Sequence, residues 1–341
     1  MKVTVIGAGA WGTTLANLLC KNQNAVTLWG YDSAHVREME RTGRNELFLP
    51  GIPLARELAL QADLARAVAG SGCVVVALPS KFFRKVTSRL PDFEGIAVSV
   101  TKGIECETGL TMSGILRTTM PKAAGAALSG PTLAMEVARE IPAASVAAHG
   151  QAGMAKQIQR LFHRPAFRVY TSHDVLGVEL GGALKNVVAI AAGICDGVGF
   201  GDNAKAALIT RAIAEMRRLG VGCGALAETF SGLSGLGDLA VTCFSRLSRN
   251  REFGERMGRG EKVEAILAST ITVAEGYPTA LAAHKLARKL RIATPIIDEV
   301  YAMLYEQKDI RKAVRDLMSR DMKAENDECR STNDQIMTKP Q

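Results

Sequence analysis

The chain has 341 residues, more than a single hydrophobic core usually organises, so two domains are expected. Hydrophobic residues make up 47% and charged residues 22%, a balance that excludes wholesale disorder. Lys and Arg outnumber Asp and Glu by 42 to 34, which gives a net charge of +8. Because no long run of basic residues concentrates this charge, we expect a pocket for a small phosphorylated ligand and no binding of nucleic acid.

The first half of the chain alternates short β-branched runs with helical patterns, which is typical of a parallel sheet built from βαβ units. The predicted strands are Lys2–Ile6, Ala25–Trp29, Cys73–Leu78, Ile96–Thr101, Ala126–Ser129, Ala144–Ala148 and Arg168–Tyr170. The predicted helices between them are Trp11–Lys21, Ser33–Arg41, Ala62–Ala69, Thr111–Thr119, Pro131–Arg139 and Gln151–Phe162.

From about residue 176 onward the strand pattern ends and helical periodicity takes over. The predicted helices are Leu176–Asp196, Ala204–Leu219, Ala225–Phe230, Arg249–Met257, Val263–Ser269, Gly276–Leu290, Pro295–Tyr305 and Ile310–Met318. We therefore predict an α/β N-terminal Rossmann-type doubly wound sheet over residues 1–175. An all-α C-terminal domain is predicted over 176–320, followed by a polar, frayed tail over 321–341.

Two apolar segments resemble membrane signals. Val3–Cys20 has the large Leu19 where signal peptidase requires a small residue, and glycines interrupt it. Val175–Phe200 is broken by Glu179 and Lys185, so no membrane insertion is expected. The seven Cys and five His lack the spacing of a disulfide framework or a metal site. Reduced thiols, no metal and a cytoplasmic location are therefore expected.

A glycine fingerprint directly follows the first predicted strand and opens a helix. In Gly7-Ala-Gly9-Ala-Trp-Gly12, the first glycine permits a tight turn, the second lets the backbone approach a pyrophosphate, and the third lets the helix pack closely on the sheet. The pyrophosphate then lies on the helix N-terminus, where free N–H groups favour negative charge. This context favours dinucleotide binding over a turn without a ligand.

The end of the second strand bears on the choice between NAD and NADP. The position of the acidic residue that binds the ribose 2′-hydroxyl is Gly30, and Asp32 comes slightly late. NADP is therefore allowed and NAD is not excluded. Asp32 has two interpretations, a ribose contact or the N-cap of the next helix.

Two lysines suggest the chemistry. Lys185 lies in the nearly apolar helix Gly181–Ile190, where it either extends to the surface or is buried as an acid or base. Burial and a cationic neighbour would lower its pKa towards the working pH. Lys102 follows a strand and either points into the same cleft or is a solvated loop residue.

Three further segments carry polar groups that could bind a substrate. Ser129-Gly130-Pro131-Thr132 offers an anion or hydroxyl site, or ordinary capping. Ser248-Arg249-Asn250 can hold a phosphate through hydroxyl, guanidinium and amide donors, or can be a Ser cap beside surface arginines. Asp238 is either a cap or an acceptor for a substrate hydroxyl.

In chain order, these motifs resemble bacterial NAD(P)-dependent sn-glycerol-3-phosphate dehydrogenase over all but the final ~20 residues. The matching segments are Gly7–Gly12, Thr101–Glu105, Leu128–Thr132 with Ala134 and Glu136-Val137, Leu180–Ile194 with Asp196–Phe200, Leu236–Leu239, Ser248–Asn250 and Val273–Gly276. The resemblance implies reversible reduction of dihydroxyacetone phosphate to sn-glycerol 3-phosphate, which supplies phospholipid synthesis.

The resemblance also implies roles for individual residues. Lys185 would be the catalytic proton donor or acceptor. The substrate would be bound by Lys102, Gly130, Thr132, Lys185, Asp238, Ser248, Arg249 and Asn250. The cofactor would be bound by Gly7, Gly9, Ala10, Trp11, Gly12, Tyr31, Lys102, Ala134, Arg249, Val273 and Glu275.

Two departures from the family pattern concern the cofactor. Ala10 stands where the family commonly has Ser, so one side-chain hydrogen bond is absent. Tyr31 stands where Arg or His is frequent, which weakens the case for a strong NADPH preference. The expected cofactor is NADPH or NADH, with NADP modestly favoured, and a homodimer is expected from the family.

Two other functions remain open at this point. A related reductase could act on a carboxylate, as β-hydroxyacid and ketopantoate reductases do, although the Ser248–Asn250 group argues for a phosphate. A non-catalytic NAD(P)-binding sensor or a nucleic-acid binder would leave the pair Lys185 and Lys102 unexplained.

Overall fold

A computed structural model describes residues 1–270, 274–321 and 325. The chain divides into two compact units. The sheet unit comprises Met1–Thr101 and Met112–Val175. The helical unit comprises Lys102–Thr111 and the chain from Leu176 onward. The segment Lys102–Thr111, assigned to the first domain in the sequence analysis, therefore groups with the helices.

The sheet unit contains one eight-stranded sheet in the order β3-β2-β1-β4-β5-β6-β7-β8. Its strands are β1 Lys2–Ile6, β2 Ala25–Trp29, β3 Ala59–Gln61, β4 Cys73–Val76, β5 Ile96–Ser99, β6 Ala124–Ser129, β7 Ala143–Ala148 and β8 Phe167–Ser172. Its helices are α1 Ala10–Lys21, α2 Ser33–Thr42, α3 Leu64–Val68, α4 Ser80–Thr87, α5 Met112–Thr119, α6 Ala134–Ala138 and α7 Ala152–Phe162. Every pairing is parallel except that between β6 and β7.

The central strands are apolar on both faces, as a parallel sheet covered by helices requires. All four residues of β4 and of β5 are buried, and so are Val3 through Ile6 of β1. The sequence analysis found these strands and missed β3 and α4. Strand β3 has only three residues, Ala59–Gln61, at the edge of the sheet, which is too short to show alternation.

Two predicted helices in this unit are too long, and the first, Ala62–Ala69, yields only Leu64–Val68. The pattern over Pro131–Arg139 yields only Ala134–Ala138, because Leu133 is still extended as the N-cap residue. Gly130 has a φ of +156°, and a Cβ there would lie 2.9 Å from the Ala144 carbonyl oxygen. The turn after β6 therefore delays the helix.

The helical unit is built around α8, Val175–Val198. The other helices are α9 Asp202–Gly222, α10 Asp238–Phe244, α11 Arg249–Gly258, α12 Val263–Ser269, α13 Gly276–Leu290, α14 Pro295–Tyr305 and α15 Ile310–Met318. The helix predicted at Ala225–Phe230 is wrong: a 3₁₀ turn occupies Ala227–Ser231, and a π-helical turn at Leu233–Gly237 leads into α10, which was not predicted. The glycines at 232, 235 and 237 obscured that periodicity.

Helix α8 is buried on all sides from Gly177 to Ile194. Among the described residues it is long and apolar enough to cross a membrane, yet 89% of its most apolar window is covered by the rest of the protein. It is therefore the core helix of this unit.

Helices α8 and α11 touch backbone to backbone through glycines. A Cβ on Gly193 would lie 1.9 Å from the Arg251 carbonyl oxygen, and a Cβ on Gly254 would lie 1.9 Å from that of Ile190. Real Cβ atoms essentially never approach an atom within 3.0 Å, so both positions require glycine. This crossing places the first turn of α11 beside the middle of α8.

Candidate active site

The turn between β1 and α1 has the geometry that a pyrophosphate requires. Gly7 has a φ of +117°, and a Cβ there would lie 2.5 Å from the Ala77 carbonyl oxygen. A Cβ on Gly12 would lie 1.9 Å from the Gly7 carbonyl oxygen, whereas one on Gly9 would meet nothing within 4 Å. Gly9 is the N-cap residue of α1 and has no side chain to satisfy the N–H groups of Ala10 and Trp11. The turn thus fits the dinucleotide.

Ala134 and Trp11 are two further residues of the sheet unit that were predicted to bind the cofactor. Thr14 of α1 donates a hydrogen bond to the Ala134 carbonyl oxygen (3.1 Å), which brings the start of α6 against α1. The indole Nε1 of Trp11 is buried and has no hydrogen-bond acceptor among the described residues. A bound cofactor would offer it one.

The acidic residue nearest the end of the second strand, Asp32, caps the next helix. Asp32 accepts a hydrogen bond from the Ala34 backbone N–H at 2.8 Å, so the structure shows it as the N-cap of α2. Gly30 is packed against Val36, which lies 2.7 Å from where a Cβ would be. Tyr31 is 87% exposed.

The turn after β6 is held by its own polar groups. The Thr132 hydroxyl donates to the Gly130 carbonyl oxygen at 3.1 Å. The Ser129 hydroxyl is buried with no hydrogen-bond partner among the described residues. Capping of α6 by Thr132 is not seen, since its N-cap residue is Leu133.

In the helical unit, two lysines predicted from distant parts of the sequence share one carboxylate. Lys102 Nζ lies 2.6 Å from Asp238 Oδ2, and Lys185 Nζ lies 3.0 Å from Asp238 Oδ1. Asp238 is 1% exposed and Lys185 6%, so both are buried, whereas the side chain of Lys102 is 16% exposed. Asp238 is the first residue of α10 but does not cap it.

Burial lowers the pKa of Lys185 to about 8. The positive charge of Lys102 acts in the same direction, whereas the carboxylate of Asp238 opposes it. Both protonation states of Lys185 are therefore accessible near neutral pH, as a group that exchanges a proton in each turnover requires.

Two residues of this cluster, Thr242 and Asn186, were missed by sequence reasoning. Lys185 Nζ donates to Thr242 Oγ1 at 2.7 Å, and Thr242 donates to the Asp238 carbonyl oxygen one turn earlier. Asn186 Nδ2 donates to the Lys102 carbonyl oxygen at 3.1 Å. The adjacent polar pair Lys185-Asn186 in an apolar helix was the available signal for Asn186, whereas nothing local identified Thr242.

The residues predicted to bind the phosphate, Ser248–Asn250, lie at the start of α11, and two of them also make hydrogen bonds within the protein. Ser248 accepts a hydrogen bond from the Arg251 backbone N–H at 3.2 Å and so caps the helix. Asn250 Nδ2 donates to Asn186 Oδ1 and its Oδ1 accepts from the Gly276 N–H, both at 2.8 Å. Arg249 lies between these two residues and is exposed.

The electrostatics of Arg249 involve Glu275. Partial desolvation of the guanidinium lowers the pKa of Arg249, and the Glu275 carboxylate opposes this shift. Glu275 is the N-cap residue of α13, next to the Gly276 that binds Asn250. Val273, the other cofactor residue expected in this segment, lies outside the described residues.

A Rossmann-type sheet with a dinucleotide turn, joined to a helical unit that buries a lysine of lowered pKa beside a carboxylate, defines the class: an NAD(P)-dependent oxidoreductase. Family models described as the N-terminus and the C-terminus of NAD-dependent glycerol-3-phosphate dehydrogenase match residues 2–155 and 174–315. The chain belongs to the NAD-dependent glycerol-3-phosphate dehydrogenase family.

Individual relatives agree along nearly the full length. The chain is 50% identical over 333 residues to a glycerol-3-phosphate dehydrogenase (NAD(P)+) of Syntrophotalea carbinolica, covering 96% of this chain and 100% of that protein. It is 51% identical over 330 residues to one from Geobacter sp. (strain M21), covering 95% and 98%. A crystal structure of glycerol-3-phosphate dehydrogenase from Coxiella burnetii matches with a TM-score of 0.90 and 37% identity, covering 94% of this chain and 99% of that chain.

Proposed function

We propose that the protein reversibly reduces dihydroxyacetone phosphate to sn-glycerol 3-phosphate, with Lys185 as the proton donor. The observation that carries this proposal is the buried cluster in which Lys185 contacts Asp238 at 3.0 Å and Thr242 at 2.7 Å. Bound NAD(P)H supplies the hydride to C2 of the substrate. The remaining requirement is a proton for the carbonyl oxygen.

Protonated Lys185 meets that requirement in two ways. Its charge polarises the carbonyl as negative charge develops on the oxygen, and its proton then moves to that oxygen to give the alcohol. In the oxidative direction the neutral amine takes the proton back. A pKa of about 8 gives Lys185 both forms within the physiological range.

Asp238 and Lys102 fix the position of Lys185. With two lysines on one carboxylate, each Asp238 oxygen has a cationic partner, and the amine of Lys185 is held by Asp238 and by the Thr242 hydroxyl together. Such preorganisation avoids the cost of orienting the acid during the reaction. Lys102, the more exposed of the two lysines, can also donate to a substrate oxygen.

The phosphate group of the substrate is assigned to the start of α11. Arg249 supplies an exposed guanidinium that can bind two phosphate oxygens at once. Asn250 keeps one Nδ2 hydrogen without a partner among the described residues, and Ser248 retains its hydroxyl proton. Gly130 and Thr132 are proposed as further substrate contacts from the sheet unit.

The dinucleotide is assigned to Gly7, Gly9, Ala10, Trp11, Gly12, Tyr31 and Ala134 of the sheet unit, with Lys102, Arg249, Val273 and Glu275 from the helical unit. Asp32 comes late for the ribose 2′-hydroxyl, and its Oδ1 caps α2. We propose that NADPH is used somewhat better than NADH. We also propose a cytoplasmic location, a homodimer and a role in supplying glycerol 3-phosphate for phospholipids.

The test follows NADPH and, separately, NADH absorbance with dihydroxyacetone phosphate and with ketopantoate as alternative substrates. We expect oxidation of both cofactors with the phosphorylated ketone only, and loss of that activity in Arg249→Ala even at saturating cofactor. Turnover of the carboxylate in preference to the phosphate would refute the assignment.

A further inference from the structure

A second charged cluster lies on the same helix as Lys185, away from the substrate groups. Asp196 follows Lys185 by eleven positions on α8, and at about 100° per residue this spacing returns to within about 20° of the same helix face. The Asp196 carboxylate contacts two other helices. Its Oδ2 lies 2.6 Å from Arg251 Nε on α11, and its Oδ1 forms an ion pair with Lys205 Nζ on α9.

The same cluster extends to α10. Lys205 Nζ lies 5.3 Å from the centre of the Phe244 ring, at the C-terminal end of the helix that carries Asp238 and Thr242. A cation at this distance from an aromatic face is attracted to it. Asp196 is therefore connected, directly or through Lys205, to the three helices α9, α10 and α11.

These charges are largely withdrawn from solvent. The side chains of Asp196, Lys205 and Arg251 are 17%, 9% and 12% exposed. Arg251 has one further carboxylate partner, Glu255, at 3.1 Å. Without the Asp196 charge, Lys205 would lose this carboxylate partner, and Arg251 would keep Glu255, which also pairs with Arg259. The orientation of Arg251 thus depends on Asp196.

Arg251 lies at a sensitive position of α11. It comes directly after Asn250 and two residues after Arg249. Asn250 and Arg251 both contact α8, through Asn186 and Asp196, and together with the glycine contacts they position the first turn of α11. Arg249 precedes them and is exposed, so its direction follows from the position of that turn.

We infer that Asp196 is a positioning residue for the phosphate group of the substrate. Through Arg251 it sets the rotation and the axial position of the first turn of α11, and so the place where the Arg249 guanidinium meets the phosphate. This inference rests on the proposed function, in which Arg249 binds that phosphate. A displacement of about 1 Å at a binding group can cost on the order of 100-fold in rate, so a contact outside the site can have a large effect.

The experiment compares dihydroxyacetone phosphate with dihydroxyacetone, which has the same carbonyl and no phosphate. In Asp196→Asn we expect kcat/KM for the phosphorylated substrate to fall by about 10-fold or more, mainly through KM, with kcat/KM for dihydroxyacetone unchanged. Arg251→Lys should shift the same ratio in the same direction by a smaller factor, because it keeps the charge and loses the guanidinium geometry. NADPH affinity should be retained in both variants.

The matched control is Glu261→Gln. Glu261 pairs with Arg256, another arginine of α11, on a more exposed side of the helix. Its removal should leave the ratio between the two substrates at the wild-type value. Arg249→Ala gives the reference for complete loss of phosphate recognition. If Arg249→Ala leaves the ratio unchanged, the proposed phosphate site is wrong; if only Arg249→Ala changes it, the inference about Asp196 is wrong.

Two other results would also overturn the inference. If Asp196→Asn lowers kcat/KM equally for both substrates, the substitution acts through Lys185 or through overall stability. An unchanged ratio in Arg251→Lys, if Asp196→Asn fails to fold, would contradict the role of this ion pair.

Discussion

The glycine contact between α8 and α11 gives opposite expectations for two glycine-to-alanine substitutions. In Gly254→Ala, the new methyl group would lie 1.9 Å from the Ile190 carbonyl oxygen, where 3.0 Å is the practical limit. The helices would therefore separate by about 1 Å. Overpacking of this kind typically costs about 1–3 kcal/mol. Here the methyl group and the carbonyl oxygen are both attached rigidly to the backbone, so neither can rotate away as a flexible side chain would.

The matched control is Gly153→Ala in α7. Gly153 is also helical, but a Cβ there meets nothing within 4 Å. Only the gain in helix propensity remains, about 0.5–1 kcal/mol in favour of Ala. Because ~1 kcal/mol shifts Tm by roughly 2–4 °C in chains of 150–250 residues, the control should raise Tm slightly and Gly254→Ala should lower it by several degrees.

Thermal unfolding followed by circular dichroism measures both variants, and substrate kinetics adds a second readout. Since the displaced helix carries Arg249 and Asn250, Gly254→Ala should also raise KM for dihydroxyacetone phosphate, whereas Gly153→Ala should leave it unchanged. A Gly254→Ala protein as stable and as active as the wild type would refute the close crossing and the placement of α11 derived from it.

Three further predictions concern pH and cofactor choice. Reduction needs protonated Lys185, whose pKa is about 8, so kcat/KM for dihydroxyacetone phosphate should fall above that pH. The rate of glycerol 3-phosphate oxidation should rise as the pH approaches 8. Rates that do not depend on pH would contradict the assignment. Burial raises the pKa of Glu215 from 4.5 to about 7, although its carboxylate accepts hydrogen bonds from two backbone N–H groups of α14. The stability that protonation of Glu215 contributes is therefore complete below about pH 4.5 and is lost as the pH rises through 7. Glu215→Gln should remove up to about 3 kcal/mol of that pH dependence in denaturant unfolding measured from pH 5 to 8, and an unaltered slope would refute the shift. Tyr31→Arg should raise the ratio of kcat/KM for NADPH over NADH by about 10-fold, because it adds a cation for the 2′-phosphate. Tyr31→Phe is the control. Equal changes of kcat/KM for both cofactors would exclude contact between residue 31 and the 2′-phosphate.

Much of the fold was predictable because its signals are local. The seven strands that were predicted are mostly short apolar runs separated by turn residues, and their predicted limits differ from the structure by at most two residues. The 24-residue helix α8 was recognised despite its four glycines at 177, 181, 182 and 193 within the buried stretch. Short elements were missed: β3 has three residues, and α4 at Ser80–Thr87 begins without a side-chain cap.

The sequence predicted which residues belong to the site, but it did not predict how they are arranged. Lys102 and Asp238 are 136 positions apart, and no local pattern shows that they form an ion pair. The sequence also left Asp32, Ser248 and Asp238 with two interpretations each. In the structure Asp32 and Ser248 cap helices through local hydrogen bonds, whereas Asp238 holds two lysines through tertiary contacts. Asp196 appeared only as part of a motif, because its partners come from other helices.

The most direct test of the account is the rate of NAD(P)H oxidation with saturating dihydroxyacetone phosphate in Lys185→Ala. Lys122→Ala, which removes an exposed lysine paired with Asp92, is the matched control. We predict that kcat falls by about 100-fold or more in Lys185→Ala, as loss of a general acid requires, while NADPH still binds and the control keeps wild-type activity. A Lys185→Ala enzyme with wild-type kcat would contradict the central claim that this buried lysine supplies the proton.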